Sequence, residues 1–185
     1  MRLFISVELP EEIKKNIEAS ISGLKKSSSG VKWVEAHNLH ITLKFLGSVE
    51  DEKKVISITE RSLKEAKSFR VKFSGVGAFP SEKRPRVLWI GVQEGAIGLK
   101  KIADDLEDAL LNAGFMKEER GFSAHLTIGR VKSEKGVDLE KMGNLADKVF
   151  GEMEVDHINI MKSTTLDTGP VYEVIKNIPL GKRGK

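Results

Sequence analysis

Cysteine is missing from this 185-residue chain, and so is any long apolar run. Without cysteine there can be no disulfide, no thiolate zinc site and no cysteine nucleophile. No stretch reaches about 18 apolar residues, which argues against a transmembrane helix. The opening MRLFISV is too short for a signal peptide, because Glu8 and Pro10 interrupt it. We therefore expect a cytoplasmic protein with no membrane partner.

The content of aromatic residues and the net charge are also low. Aromatic side chains make up 6% of the chain, and the net charge is +4 with a pI near 9.2. A modest positive charge favours an anionic partner, but few aromatic rings leave little means of reading nucleic-acid bases. Charged residues, mostly Lys and Glu, reach 31%, a bias compatible with a thermophilic source. The length suits one ordinary domain or two small lobes, and we expect a monomer.

Apolar periodicity divides the chain into strands and helices. Strands are predicted at 2–9, 31–34, 39–47, 69–79, 86–92, 122–131, 150–162 and 171–177, and helices at 10–26, 51–67, 99–113 and 138–147. The third helix is the clearest, because Leu99, Ile102, Leu106 and Leu110 share one face and Gly114 follows. Several links between strands are too short for a crossover helix, which favours antiparallel pairing. The element order predicts an α+β fold.

Two of the predicted strands carry the same motif, His-x-Thr-x with aliphatic residues at both x positions. The first copy contains His40 and Thr42, and the second contains His125 and Thr127. Because side chains alternate along a strand, each histidine shares a face with its threonine while the aliphatic residues face the core. Two imidazoles and two hydroxyls around one volume would suit acid–base chemistry on a phosphate.

The repetition of this motif is what favours a catalytic role. A single His-x-Thr-x is most often structural, but two copies with matching flanks occur here in a chain with four histidines. The copies lie close to half the chain length apart. We therefore predict two similar lobes, each with an antiparallel sheet covered outside by helices, whose motif strands face a central groove.

Four segments together resemble a known family. They are RLFI at 2–5, NLHITLKFLG at 38–47, RVLW at 86–89 and HLTIGR at 125–130. They are similar to the two-histidine (2H) phosphoesterase superfamily, and most of all to its 2′-5′ RNA ligase branch, the RNA 2′,3′-cyclic phosphodiesterases. The resemblance covers the whole chain and implies a single bilobal domain over residues 1–185.

The resemblance also implies an activity. Members of this family hydrolyse RNA 2′,3′-cyclic phosphate ends to 2′-phosphomonoesters, and some reversibly join RNA ends, such as tRNA halves, through 2′-5′ bonds. Neither ATP, a metal nor another cofactor is implied. By the same resemblance, His40 is the proton donor to the leaving 3′ oxygen and His125 is the base that activates water. A histidine serves in either role because its unperturbed pKa is about 6.5.

The phosphate itself needs hydrogen-bond donors, and three residues are candidates. Thr42 and Thr127 share a face with the histidines and are placed to donate to non-bridging oxygens. Arg130 belongs to the family motif, but it lies three residues beyond Thr127 and faces the other way in a regular strand. A bulge at Gly129 would turn Arg130 towards Thr127. With such a bulge Arg130 would contact the phosphate, and without it a surface carboxylate is the expected partner.

The remaining candidates have both a functional and a structural interpretation. Phe45 and Phe4 are candidates for stacking on a base, although aromatic residues on strands more often belong to the core. Arg86 lies at a strand end, where an exposed charge is the more ordinary role. His37 and His157 are expected at the surface.

Two rival functions use the same residues differently. A non-catalytic nucleotide- or RNA-binding module would keep the fold and the groove, but it would not require both motifs to be intact. A metallohydrolase is disfavoured because no His-x-x-x-His spacing occurs among the four histidines.

Overall fold

The computed structural model describes residues 1–184, which alternate between strands and helices. The strands are β1 (Arg2–Glu8), β2 (Val31–Trp33), β3 (His40–Ser48), β4 (Phe69–Pro80), β5 (Pro85–Glu94), β6 (His125–Val131), β7 (Val149–Val155), β8 (His157–Leu166) and β9 (Gly169–Pro179). The helices are α1 (Glu11–Ser27), α2 (Glu52–Ser62), α3 (Ala96–Asn112) and α4 (Leu139–Gly143). This order confirms the α+β class.

Two antiparallel sheets carry the two motifs. The four-stranded sheet has the order β3-β1-β8-β9, and the five-stranded sheet has the order β2-β6-β5-β4-β7. The first motif strand, β3, is therefore an edge strand, whereas the second, β6, lies inside its sheet. The lobes are not consecutive halves of the chain, because β2 pairs with β6 and β8 pairs with β1.

The aliphatic residues of each motif point into the core, as the alternation predicted. Ile41 and Leu43 are buried on β3, and Leu126 and Ile128 are buried on β6. Helix α3 buries the predicted face of Leu99, Ile102, Leu106 and Leu110. It contacts α2 and the motif strand β3. The opposite faces of β3 and β6 remain free for the groove.

Three predicted elements have the wrong bounds. The strand expected at 150–162 is two strands in different sheets, since β7 pairs with β4 and β8 pairs with β1, with Asp156 between them. The apolar residues change from odd to even positions between Val155 and Ile158, but a bulge within one strand would give the same pattern, so only the strand partners reveal the break. The helices predicted at 51–67 and 138–147 are shorter, ending at Ser62 and Gly143. Within residues 1–184, no helix is both long enough and apolar enough to cross a membrane.

Candidate active site

A groove of about 920 Å³ receives side chains from both motif strands. His40 and Thr42 enter it from β3, and His125 and Thr127 enter it from β6. The four-stranded and five-stranded sheets therefore each contribute one imidazole and one hydroxyl to the same cavity. The structure brings together all four of the motif residues that the sequence singled out.

Both imidazoles are oriented by the same local hydrogen bond. The Nδ1–H of His40 donates to the carbonyl oxygen of Asn38 at 2.7 Å, and that of His125 donates to the carbonyl oxygen of Ser123, also at 2.7 Å. A carbonyl oxygen only accepts, so Nδ1 carries the hydrogen in each ring. The Nε2 atom of each ring is thus the one that exchanges protons. In His40 this atom accepts a hydrogen bond from the Thr42 hydroxyl at 3.0 Å.

Burial lowers the pKa of both imidazoles from 6.5. For His40, desolvation is opposed mainly by the hydrogen bond to Asn38, while nearby Lys14 lowers the pKa further. For His125, desolvation is opposed by the hydrogen bond to Ser123, and the positive charge of Arg130 lowers the pKa further. Both rings are therefore mostly neutral at pH 7 in the free protein, and each is a stronger acid once protonated.

The two histidines have different aromatic neighbours. The His40 ring lies between Phe4, at 5.0 Å between ring centroids, and Tyr172, whose ring is nearly perpendicular at 5.2 Å. The His125 ring has one such neighbour, Phe79, at 5.0 Å. Phe4 is only 4% exposed, so its ring supports His40 and offers little surface to a base.

Sequence reasoning missed Phe79, beside His125, and also Tyr172. Tyr172 lies on β9, at the opposite edge of the four-stranded sheet from β3, yet its ring reaches His40. The side chain of Asn38 donates to the carbonyl oxygen of Pro170 at 3.1 Å, so the start of β9 approaches the start of β3. Only this curling of the sheet brings Tyr172 to the groove, and no motif in the sequence marks it.

Arg130 reaches the groove because β6 contains a bulge. Leu88 pairs with Gly129 but Trp89 pairs with Thr127, which leaves Ile128 as an extra residue. Beyond this bulge the alternation is reset, so Arg130 lies on the same face as Thr127 and lines the groove. Its charge lowers the pKa of His125 and opposes the burial that raises the pKa of Tyr172.

Strand β3 is also irregularly paired, and here the irregular pairing brings Phe45 to the groove. Its pairing with β1 shifts at two places, and Phe45 falls five residues after His40, as Arg130 does after His125. Phe45 is 59% exposed and lines the groove. The two copies of the motif thus present an aromatic ring on one side and a guanidinium on the other.

The model of the family described as LigT like Phosphoesterase matches this chain twice, over residues 7–89 and 90–172. Each match contains one histidine motif, in agreement with the paired geometry of the groove. The chain belongs to the LigT-like phosphoesterase family. The resemblance to 2H phosphoesterases is thereby confirmed.

Named relatives of this LigT-like phosphoesterase cover nearly its whole length. The RNA 2′,3′-cyclic phosphodiesterase of Methanocaldococcus jannaschii is 41% identical, over 95% of this chain and 99% of the relative. The protein of the same name from Archaeoglobus fulgidus is 38% identical, over 95% and 98% of the two chains. The crystal structure of TT0787 from Thermus thermophilus matches all of both chains with a TM-score of 0.82 and 28% identity.

The other histidines of the LigT-like phosphoesterase lie outside the groove. His37 is exposed in the short turn before β3, and His157 contacts Asp156 at 2.6 Å. Arg86 is exposed on β5 and does not line the groove. Within residues 1–184, no group of three or more His, Asp or Glu side chains is arranged to hold a metal ion.

Proposed function

We propose that this LigT-like phosphoesterase hydrolyses the 2′,3′-cyclic phosphate end of RNA to a 2′-phosphomonoester. The proposal rests on one observation: His40 and His125 enter the same groove from different sheets, and a hydrogen bond from Nδ1–H orients each ring so that Nε2 is free to exchange a proton. The names of the relatives agree with this activity. We also propose that residues 1–185 act as one bilobal catalytic domain.

The proposed step uses each imidazole once. His125 Nε2 takes a proton from water as the water oxygen attacks phosphorus. The bond from phosphorus to O3′ breaks, and protonated His40 gives its Nε2 proton to O3′. In-line displacement places the entering and leaving oxygens on opposite sides of phosphorus, which suits groups on opposite walls of a groove. This assignment of acid and base follows the family resemblance, and ligation would reverse the two roles.

The phosphate oxygens require positive charge or hydrogen-bond donors, which three groove residues supply. The hydroxyls of Thr42 and Thr127 share the faces of the two histidines, and the bulge in β6 brings the Arg130 guanidinium to the same cavity. Donors aimed at the oxygens where charge develops stabilise the transition state. We propose that these three residues bind the non-bridging oxygens.

Among the aromatic residues that line the groove, Phe45 is exposed, whereas Phe79, Phe122 and Tyr172 are half-buried, so Phe45 offers the most open ring to the base next to the cyclic phosphate. We propose that Phe45 stacks on it, because its ring is exposed there, whereas Phe4 acts through His40. Stacking tolerates every base, so weak sequence preference is expected. 2′-5′ ligation, tRNA halves as substrates, the monomeric state, the cytoplasmic location and a thermophilic source stay predictions.

The decisive experiment follows defined oligonucleotides that end in a 2′,3′-cyclic phosphate. The expected product carries a 2′-phosphate, distinguished from the 3′ isomer by chromatography against both standards. The same oligonucleotide with a linear 3′-phosphate is the control and should stay unchanged. Binding of the cyclic end without turnover would favour the non-catalytic binding module instead.

A further inference from the structure

Lys44 is a buried cation inside the first motif strand to which the proposed reaction assigns no role. It is 2% exposed and follows Thr42 by two residues. Unbroken alternation would place it beside Thr42, facing a phosphate. Instead the pairing of β1 with β3 shifts here, since Ile5 pairs with Lys44 but Ser6 pairs with Thr42. Lys44 therefore does not share the face of Thr42, although its side chain, like those of Glu107 and Glu118, borders the groove.

The ammonium of Lys44 is engaged by protein groups on α3 and on the segment that follows α3. Its Nζ lies 2.7 Å from Oε2 of Glu107 on α3 and 4.0 Å from Oε1 of Glu118. It also donates to the carbonyl oxygen of Met116 at 2.8 Å. Two of the three donors of the ammonium thus have partners within hydrogen-bonding distance, and the two carboxylates balance its charge.

Two further hydrogen bonds close this arrangement into a ring. The backbone N–H of Glu118 donates to Oε1 of Glu107 at 3.0 Å. The backbone N–H of Phe45 donates to Oε1 of Glu118 at 3.2 Å. Because β3 is an edge strand, no neighbouring strand covers that side of it. We call Lys44, Glu107 and Glu118 the latch.

The latch connects the strand that carries His40 with the segment that precedes His125. Lys44 lies four residues after His40 on the same strand. Glu118 lies in the segment 116–124, which leads directly into β6 and includes Ser123, the residue whose carbonyl oxygen orients His125. Across the groove, the latch thus connects the strand that carries one imidazole with the segment that orients the other.

We propose that Lys44 is a positioning residue, which through Glu107 and Glu118 fixes the spacing and orientation of His40 relative to His125. The expected changes in kcat and KM rest on the proposed function, whereas the expected change in the environment of His125 does not. A misplacement of about 1 Å can cost on the order of 10²-fold in rate. Loss of the latch should therefore lower kcat without weakening substrate binding.

The test compares Lys44→Met with the same substitution at Lys54, an exposed lysine that also bonds to the end of α3. Lys54 also reaches the end of α3 from a neighbouring element, donating to the carbonyl oxygen of Ala113 at 3.0 Å, but it does not line the groove. For cleavage of a cyclic-phosphate oligonucleotide, Lys44→Met should lower kcat by about 10²-fold and change KM by less than about 3-fold. Lys54→Met should leave both parameters within about 2-fold of the parent protein.

Glu107→Gln keeps the acceptor for the Glu118 N–H but loses the charge, so an intermediate loss of kcat is expected. If Lys44→Met does not fold in circular dichroism melts, the double variant Lys44→Met/Glu107→Met decides, because it leaves no unpaired charge between these two positions. A folded variant that keeps kcat within about 3-fold would overturn the inference. So would a raised KM with unchanged kcat, since Lys44 would then be a phosphate ligand.

Histidine NMR separates this inference from the proposed function. The ring signals and pH titration of His125 should change in Lys44→Met but not in Lys54→Met, while the distant His157 should stay the same in both. This readout needs no substrate. If the parent protein cleaves no cyclic phosphate, the proposed function fails, and an unchanged His125 titration would refute the latch separately.

Discussion

Truncation of the two motif histidines should give equal losses of activity but unequal losses of stability. If His40 and His125 form one acid–base unit, then His40→Ala or His125→Ala alone removes nearly all of the proton-transfer catalysis. Each positioned proton transfer is worth about 10²–10⁴ in rate. Members of a catalytic unit are far from additive, so the double variant should be only slightly slower than either single variant.

The stability difference follows from the neighbours of each ring. His40 packs against Phe4 and Tyr172, whereas His125 packs against Phe79 alone. At about 0.5–1.5 kcal/mol for each aromatic pair, His40→Ala should cost about 1–3 kcal/mol and His125→Ala about half as much. For a chain of this length 1 kcal/mol shifts Tm by about 2–4 °C, so His40→Ala should melt several degrees lower than His125→Ala.

Single-turnover cleavage of a cyclic-phosphate oligonucleotide measures the rates, and circular dichroism melts measure the stability. The assay temperature must lie well below the lower of the two Tm values, so that rate loss is not confused with unfolding. Near-normal cleavage by folded His40→Ala would refute the paired mechanism. A double variant slowed by the full product of the two single losses would show that the histidines act independently.

Five further outcomes are expected. Thr42→Val and Thr127→Val should each slow kcat by about 10–10³-fold, because one donor to the developing charge is lost, and the single-turnover assay measures this. Since both imidazole pKa values are lowered, kcat/KM should be bell-shaped with its maximum on the acidic side of pH 6.5, and a profile flat from about pH 5 to 9 would contradict this. Arg130→Met removes a cation that lowers the His125 pKa, so the limb of the profile that belongs to His125 should move to higher pH. Activity should survive EDTA, and RNA affinity measured by titration should fall as salt rises.

Local pattern was sufficient for the parts of the site that depend on strand alternation. The period of two places each histidine beside its threonine and buries Ile41 and Leu126, whatever the rest of the chain does. The Nδ1 hydrogen bonds are equally local, because each joins a histidine to the carbonyl oxygen two residues before it. The sequence therefore predicted the four motif residues and the α+β class.

The sequence did not show which strands pair with one another. In the segment at 149–166 the apolar residues change from odd to even positions between Val155 and Ile158, as a bulge within one strand would also produce, but β7 and β8 join different sheets, which only their pairing with β4 and β1 shows. The orientation of Arg130 also depends on register. The sequence did not determine whether a bulge at Gly129 turns Arg130 towards Thr127. The pairing of β5 with β6 determines this orientation, because Ile128 has no partner residue on β5.

Contacts between residues far apart in the chain were decided only by the tertiary structure. Tyr172 reaches His40 because the four-stranded sheet curls, and Lys44 reaches Glu107 because α3 packs on β3. Neither contact has a spacing or a period that a sequence pattern could register. The sequence by itself thus indicated the side chains to which the proposed chemistry is assigned. The packing of the sheets and helices determined what surrounds them, since burial and distance depend on the whole fold.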